Sequence, residues 1–392
     1  MPKRVAIVGG GWAGLAAAVR SVQSGHNVTV FEAARCLGGR ARSVDVTLPS
    51  GVTVALDNGQ HVLLGAYRQT LDLMQTVGVD LNAALTKLPV RLSTFQTQRW
   101  RFLDYVSLAR SLAGWLLQGF SCPASVTVLA LSKNASKRVI KDLIEPLCLS
   151  ALNTTLAEAS GRVFLRVLKD AFTSQSYVWT GGRYASSDML IPKVDLGRVF
   201  PSLAGSWLRD RGARVRLGER ITSLQPLQSE FDHVVIATSP WEAVRLVRDL
   251  APDWATGVDA LAYRAIATVY VQAPVDFKLS KPMLALPSDA EHPAQFVFQR
   301  AEAKGLLAFV VSDAKGEREE LERLVLAQGG AILGVALKPV LSIVEKRATF
   351  ACSAQMKRPS KLVLEGLSVV GDYVDGPYPS TIEGAILSAT QP

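Results

Sequence analysis

No run of about 18 apolar residues occurs in the 392-residue chain, so nothing in it reads as a transmembrane helix. Cysteine is scarce. Cys36, Cys122, Cys148 and Cys352 form no CxxC pair, which fits reduced thiols in a cytosol and argues against a disulfide framework. The four histidines (His26, His61, His233, His292) lack metal-ligand spacing, and no metal is expected. Acid is outnumbered, 34 Asp and Glu against 43 Lys and Arg, for a net charge of +9. The basic residues nonetheless form no block and no nucleic-acid motif, so nucleic acid is not expected as a partner. Attraction to an anionic membrane surface and a merely solvated basic surface are equally good readings of the excess. Internal repeats and low-complexity segments are absent. Met1 to Val8 puts two basic residues before an apolar run, but the run is too short for a signal peptide and has no cleavage site. A cytoplasmic chain is expected, with the inner face of the membrane as its point of peripheral contact.

What is present is concentrated at Val5 to Val19, VAIVGGGWAGLAAAV. Val5 to Val8 reads as a buried parallel strand. Gly9, Gly11 and Gly14 follow at G-x-G-x-x-G spacing, then small apolar residues that read as a helix. The first glycine permits the tight turn, the second lets a pyrophosphate approach the backbone, and the third lets helix and strand pack closely. The helix N-terminus offers free N–H groups and positive dipole to phosphates. Gly25 ends the helix, and His26 to Phe31 is a second strand. Glu32, with Ala33 beside it, stands where an acid can accept from a ribose 2′-hydroxyl. Strand, helix, strand and acid in this order predict a bound dinucleotide.

Further along, Cys36-Leu-Gly-Gly-Arg-Ala-Arg-Ser43 sets Gly38 and Gly39 before Arg40 and Arg42. That pattern brings backbone and guanidinium to a pyrophosphate; an ordinary basic turn is the alternative. Leu48 to Gly51 is a turn between two β-rich pieces, and Leu56 to Val62 (LDNGQHV) places Asp57, Gln60 and His61 around Gly59. A helix is predicted over Tyr67 to Val77. Leu103 to Phe120 is amphipathic, with Leu108, Leu112, Trp115, Leu116 and Phe120 on one side, and reads either as a core helix of a cap domain or as a helix lying on a membrane. Thr173 to Ser187 reads as a loop. Val215 to Leu217 is a strand, with a second expected from Ile221; Phe231 to Thr238 returns to the first sheet. Ala267 to Gln272 and Gln295 to Gln299 look like strands of an antiparallel sheet, and Leu367 to Val370 is a last strand before a helix capped by Thr381 or Ser380.

The combination GGGWAGLAAAV, VFEAARCLGGRARS and LDNGQHVLLGAYRQTL resembles the flavin amine oxidase and phytoene desaturase superfamily. Within it, IEPLCLSALNTTLAEAS (144–160), ASSDMLIPKVDLGRVFP (185–201) and EKRATFACSAQMKRP (345–359) resemble the hydroxysqualene dehydroxylase, or squalene-associated FAD-dependent desaturase, subfamily. The resemblance covers essentially the whole chain. It implies an α/β fold, a Rossmann-type FAD-binding domain with an inserted α+β substrate domain. The FAD domain is then assembled from 1–81, 195–254 and 360–392, and the substrate or cap domain from 82–194 and 255–359. FAD is the implied cofactor. Gly59, Gln60 and His61 are placed beside the flavin, a backbone amide at Ile221 near the adenine, and Gly371 and Asp372 at the ribityl or pyrophosphate. The helix starting at Thr381 and Ile382 is aimed at the flavin N1–C2=O edge, where a helix N-terminus stabilises the reduced anion. That helix is short here, because the chain stops at Pro392, and weaker FAD retention is the expectation.

The implied reaction turns an allylic C–OH of hydroxysqualene into C–H by hydride from reduced flavin. Hydroxide leaves poorly, and a positioned general acid is worth roughly 10²- to 10⁴-fold. Asp57 and His61 are the candidate acids, each with a purely structural alternative, and Glu145 is a weaker third. The implied partners are the isoprenoid substrate and the synthases upstream in squalene formation. A carotenoid-type desaturase, an amine oxidase and a flavin-free isoprenoid carrier are the alternatives.

Overall fold

The computed structural model describes residues 1–91, 95 and 99–390. β1 (Arg4–Val8), the helix Trp12–Gln23 and β2 (Asn27–Glu32) open the chain. β3 (Ser43–Thr47) and β4 (Thr53–Asp57) pair antiparallel around the Leu48 to Gly51 turn. β5 (Leu63–Leu64), the helix Arg68–Thr76 and β6 (Leu85–Leu88) come next. Several helices fill the stretch from Phe102 to Thr173. β7 (Tyr177–Trp179) and β8 (Gly182–Tyr184) then form a hairpin where the sequence predicts a loop. Tyr177, Val178 and Trp179 are strand formers, and Thr180-Gly181 supplies the turn. β9 (Met189–Pro192), β10 (Arg214–Leu217) and β11 (His233–Ile236) follow. No strand starts at Ile221; a loop leads from there to the helix Gln225–Glu230, whose Pro226 suits a first helical turn. β12 (Tyr263–Gln272), β13 (Met283–Ala285), β14 (Phe296–Gln299), β15 (Leu306–Ser312), β16 (Lys338–Phe350), β17 (Leu362–Leu364), β18 (Leu367–Val369) and the helix Ile382–Ser388 complete the order.

One sheet runs β10-β2-β1-β11-β18-β17, parallel except for β17. Its central strands are mostly apolar because both faces are covered. Val5 and Ile7 point to a cluster with the helix Trp12–Gln23, while Ala6 and Val8 point to a second cluster with Val234, Ile236 and Leu367. The other large sheet, β13-β14-β15-β12-β16, is antiparallel. A small sheet β5-β9-β6 pairs β5, before the expected boundary at 81, with β9, beyond it.

The helix Phe102–Leu117 turns an unusual face inward. Asp104, Ser111 and Trp115 are buried, while Phe102, Leu103, Leu116 and Leu117 are 79%, 73%, 64% and 88% exposed. The expected apolar side is therefore only partly right: Leu108, Leu112 and Phe120 pack on the cap cluster, and Leu116 does not. Asp104 is the charged member of the buried side. Its carboxylate accepts from the Arg101 N–H at 2.8 Å and the Ser136 hydroxyl at 2.6 Å, which fixes that side against the cap.

Candidate functional site

The opening turn has the spatial economy its spacing predicts. Gly9 has φ +114°, and a Cβ there would lie 2.6 Å from the Ala237 carbonyl oxygen. A Cβ on Gly14 would lie 1.9 Å from the Gly9 carbonyl oxygen. Gly11 differs. A Cβ there meets nothing nearer than the Gly39 Cα, at 3.7 Å. Two glycines are therefore required by the fold itself, and the third opens a cradle that the fold does not need. Gly11 is also the N-cap of the helix Trp12–Gln23 and brings no side chain to that helix end.

Gly38, Gly39 and Glu32 pack at this cradle, and the other expected pieces are held by neighbours of their own. Gly38 donates its N–H to the Gly10 carbonyl at 2.9 Å, which holds the Gly38-Gly39 turn against the first loop. Glu32 accepts from the Gly10 N–H at 2.6 Å and from the Ala34 N–H at 2.7 Å. These bonds aim its carboxylate at the loop, beside Ala33, and a carboxylate retains acceptor capacity for a ribose hydroxyl. Arg40 ion-pairs with Asp372 and donates to the Ala348 carbonyl at 2.7 Å, so residues 332 positions apart in the chain meet here. The Arg42 carbonyl accepts from the Asn58 N–H at 2.8 Å and the Arg40 carbonyl from the Asn58 side chain at 3.3 Å, seating the Asp57 to His61 turn on this segment. The Gly371 N–H donates to the Ser388 hydroxyl at 2.8 Å. Thr381 is the N-cap of the last helix: its hydroxyl accepts from the Gly384 N–H at 2.9 Å, and Ile382 is the first helical residue. Ile221 lies past β10, with its carbonyl accepting from Arg245 at 2.8 Å.

The short last helix is not poorly held. Glu383 in its first turn is buried and accepts from the Gln69 N–H at 3.1 Å, the Thr70 N–H at 2.9 Å and the Thr70 hydroxyl at 2.6 Å. It thereby caps the helix Arg68–Thr76 while sitting favourably on its own helix dipole. The sequence reading passed over Glu383.

The Asp57 to His61 turn carries more structure than expected. Asp57 is fully buried, and its Oδ1 accepts from the Leu196 N–H at 2.6 Å. Its Oδ2 lies 3.0 Å from Arg300 Nη2, and its carbonyl accepts from the Tyr270 hydroxyl at 2.9 Å. Burial pushes its carboxyl up to about 6, against the pull of Arg300. Asp57, a candidate acid by sequence, also ties β4, the Leu196 turn and β12 together. His61 places Nδ1 2.8 Å from the Gly59 carbonyl. Burial pushes its imidazole below the usual value, and nearby Arg40 pushes the same way. The contact with the Gly59 carbonyl fixes the ring through Nδ1 and leaves Nε2 for other partners. Arg300 and Glu302 were missed by the sequence reading. Their signal was two charges at alternate positions shortly after the apolar run Phe296 to Phe298.

The residues present fit FAD: an open cradle at Gly11, an acid at the end of β2, and a polar turn beside Arg40. Among the described residues, no group of three or more His, Cys, Asp or Glu is arranged to hold a metal, and no helix is long and apolar enough to cross a membrane.

Residues 7–77 match the NAD(P)-binding Rossmann-like domain model, and residues 134–391 match that of the flavin containing amine oxidoreductases. Hydroxysqualene dehydroxylase of Sinorhizobium fredii is 26% identical over 100% of this chain and 97% of its own. That of Rhodopseudomonas palustris is 25% identical with the same coverage, 100% and 97%. Among solved structures, an oxidoreductase from Methanosarcina mazei superposes with a TM-score of 0.74 at 16% identity, covering 98% of each chain. Putrescine oxidase bound to putrescine gives 0.67 at 15%, covering 99% of this chain and 97% of its own. The cradle and the family model, which spans most of the chain, agree: the chain belongs to the flavin containing amine oxidoreductases and is an FAD-dependent oxidoreductase.

Proposed function

We propose that this enzyme is a hydroxysqualene dehydroxylase, replacing the allylic hydroxyl of hydroxysqualene by hydrogen to give squalene. The observation that carries the reading is similarity along the whole chain, at nearly full length on both sides, to two enzymes of that name. Reduced FAD supplies the hydride. The chain supplies the rest. Residues 1–81, 195–254 and 360–392 bind the cofactor through Gly9, Gly11, Gly14, Glu32, Ala33, Gly38, Gly39, Arg40, Arg42, Ile221, Gly371, Asp372, Thr381 and Ile382. The Gly59, Gln60 and His61 edge orients its ring. Residues 82–194 and 255–359 form the substrate part. Tyr270, Phe296 and Phe298 belong to the apolar cluster under the Asp57 turn. Such faces exclude water and favour an allylic cation, by up to about 2 kcal/mol when desolvated.

Delivery of so apolar a substrate points to a membrane. The exposed Phe102, Leu103, Leu116 and Leu117 lie in a segment, 99–170, that holds ten Lys and Arg against five Asp and Glu. That combination suits an anionic bilayer surface. Leu116→Glu with Leu117→Glu is expected to abolish sedimentation with anionic vesicles and leave the melting temperature unchanged. Wild-type protein that does not sediment with such vesicles refutes the membrane reading.

The function is tested anaerobically. Dithionite-reduced protein mixed with hydroxysqualene is expected to return to oxidised flavin with one squalene formed per flavin. Flavin that stays reduced, with oxidised enzyme instead bleaching on squalene or phytoene, assigns the chain to the desaturases.

A further inference from the structure

The residue after β14 is an arginine that solvent hardly reaches: the Arg300 side chain is 2% exposed. A buried guanidinium costs several kcal/mol unless its donors are matched. Here all three nitrogens are engaged. Nε lies 3.1 Å from Glu302 Oε2, and Nη2 pairs with Glu302 Oε1 and sits 3.0 Å from Asp57 Oδ2. Nη1 donates to Gln60 Oε1 at 2.6 Å. Two carboxylates already exceed the single positive charge, so Gln60 is not needed for neutrality. What the Nη1 bond does is choose the direction of the carboxamide. An amide oxygen accepts from a guanidinium and its NH2 cannot, so the NH2 end is turned away. There it donates to the His61 carbonyl at 3.2 Å, while His61 Nδ1 engages the Gly59 carbonyl at 2.8 Å. The chain of contacts starts on the antiparallel sheet and ends on the Gly59 to His61 edge.

We propose that Arg300 is a positioning residue for the cofactor: it fixes the Gln60 carboxamide and so the Gly59, Gln60 and His61 edge presented to the flavin. The inference rests on the reading that this edge lines the flavin ring. A plain ion pair requires only positive charge at this point. The proposed role requires the planar fork, because one Nζ cannot serve Asp57, Glu302 and Gln60 at once. Arg300→Lys therefore separates the two roles.

The test compares FAD-loaded wild type, Arg300→Lys, Gln60→Ala and the double variant. The readouts are the flavin absorbance spectrum, the flavin midpoint potential, and kcat and KM for substrate. Arg300→Lys is expected to shift spectrum and potential in the same direction as Gln60→Ala, and the double variant to go no further than either single one. The rate is expected to fall by about 10²-fold with KM little changed, the loss typical of misplacing a reacting group. If Gln60→Ala moves the spectrum and Arg300→Lys leaves it as in wild type, the role of Arg300 is overturned and the reading of the edge stands. If neither moves it, the edge does not line the flavin and both fall. Should Arg300→Lys fail to fold, Glu302→Gln, which loosens the same guanidinium from one side, is judged by the same readouts.

Discussion

Gly11 and Gly14 are three residues apart in one turn, and the structure assigns them opposite physical roles. Gly11→Ala adds a methyl where the nearest atom is the Gly39 Cα, 3.7 Å away, ordinary van der Waals contact. The backbone there is extended, with φ −76°, so alanine adopts it without strain. An N-cap alanine loses a few tenths of a kcal/mol against glycine, and the stiffer unfolded chain returns a similar amount. The stability of the FAD-free protein should change by less than about 0.5 kcal/mol. The methyl does occupy the space through which a pyrophosphate approaches the loop. Overpacking of that kind costs about 1–3 kcal/mol, or roughly 5- to 150-fold in FAD affinity. Gly14→Ala behaves otherwise. Its methyl would lie 1.9 Å from the Gly9 carbonyl oxygen, so the turn must open and the FAD-free protein itself loses about 3 kcal/mol or more. The assay is urea unfolding of both FAD-free variants, with FAD titration followed by flavin fluorescence. A Gly11→Ala protein that binds FAD as wild type does refutes the cradle. A Gly14→Ala protein as stable as wild type refutes the close-packed turn.

Glu32→Ala should weaken FAD by at least about tenfold and also cost the FAD-free protein about 1–2 kcal/mol, because the Gly10 and Ala34 N–H groups lose their acceptor; unchanged FAD affinity on titration removes the ribose assignment. Glu383→Ala should cost about 2–3 kcal/mol in urea unfolding, since Gln69 and Thr70 lose a buried charged acceptor; a loss under about 0.5 kcal/mol would show that the last helix is held by something else. Asp57 titrates at about 6 in the folded protein, above its ordinary 3.8. The folded state therefore keeps a proton that the unfolded chain has released, and this group's contribution is fully present below pH 4 and lost as pH rises through 6. The loss is on the order of 1–3 kcal/mol. Asp57→Asn should remove that slope from the pH dependence of urea unfolding, and identical slopes in variant and wild type would refute the burial argument.

The parts of this site that were legible in the sequence are those where one residue type has one local reason. Gly14 is dictated by a contact within a single turn, Gly9 by its own φ of +114°, and the acid at Glu32 by its distance along one β-α-β unit. Thr381 was legible as an N-cap because capping is decided within three residues. What was not legible was decided elsewhere in the chain. Nothing in LDNGQH shows that Arg300, 243 residues later, and the Leu196 N–H close over Asp57. The helix Phe102–Leu117 buries most of the side its apolar pattern predicts, Leu108, Leu112 and Trp115, and adds Asp104, bonded to Ser136, which no apolar pattern shows. In both cases a charged group is buried where its partners are. Its burial costs several kcal/mol unless partners are found, while exposing one leucine forgoes only about 1.5–3 kcal/mol. The position of a buried charge is thus set by where its partners are, and the apolar residues accommodate it. By the same logic Arg300 ties the end of β14 to the Asp57 to His61 turn. Two of its partners, Asp57 and Gln60, lie in that one turn far back in the chain, and the third, Glu302, is its near neighbour in sequence.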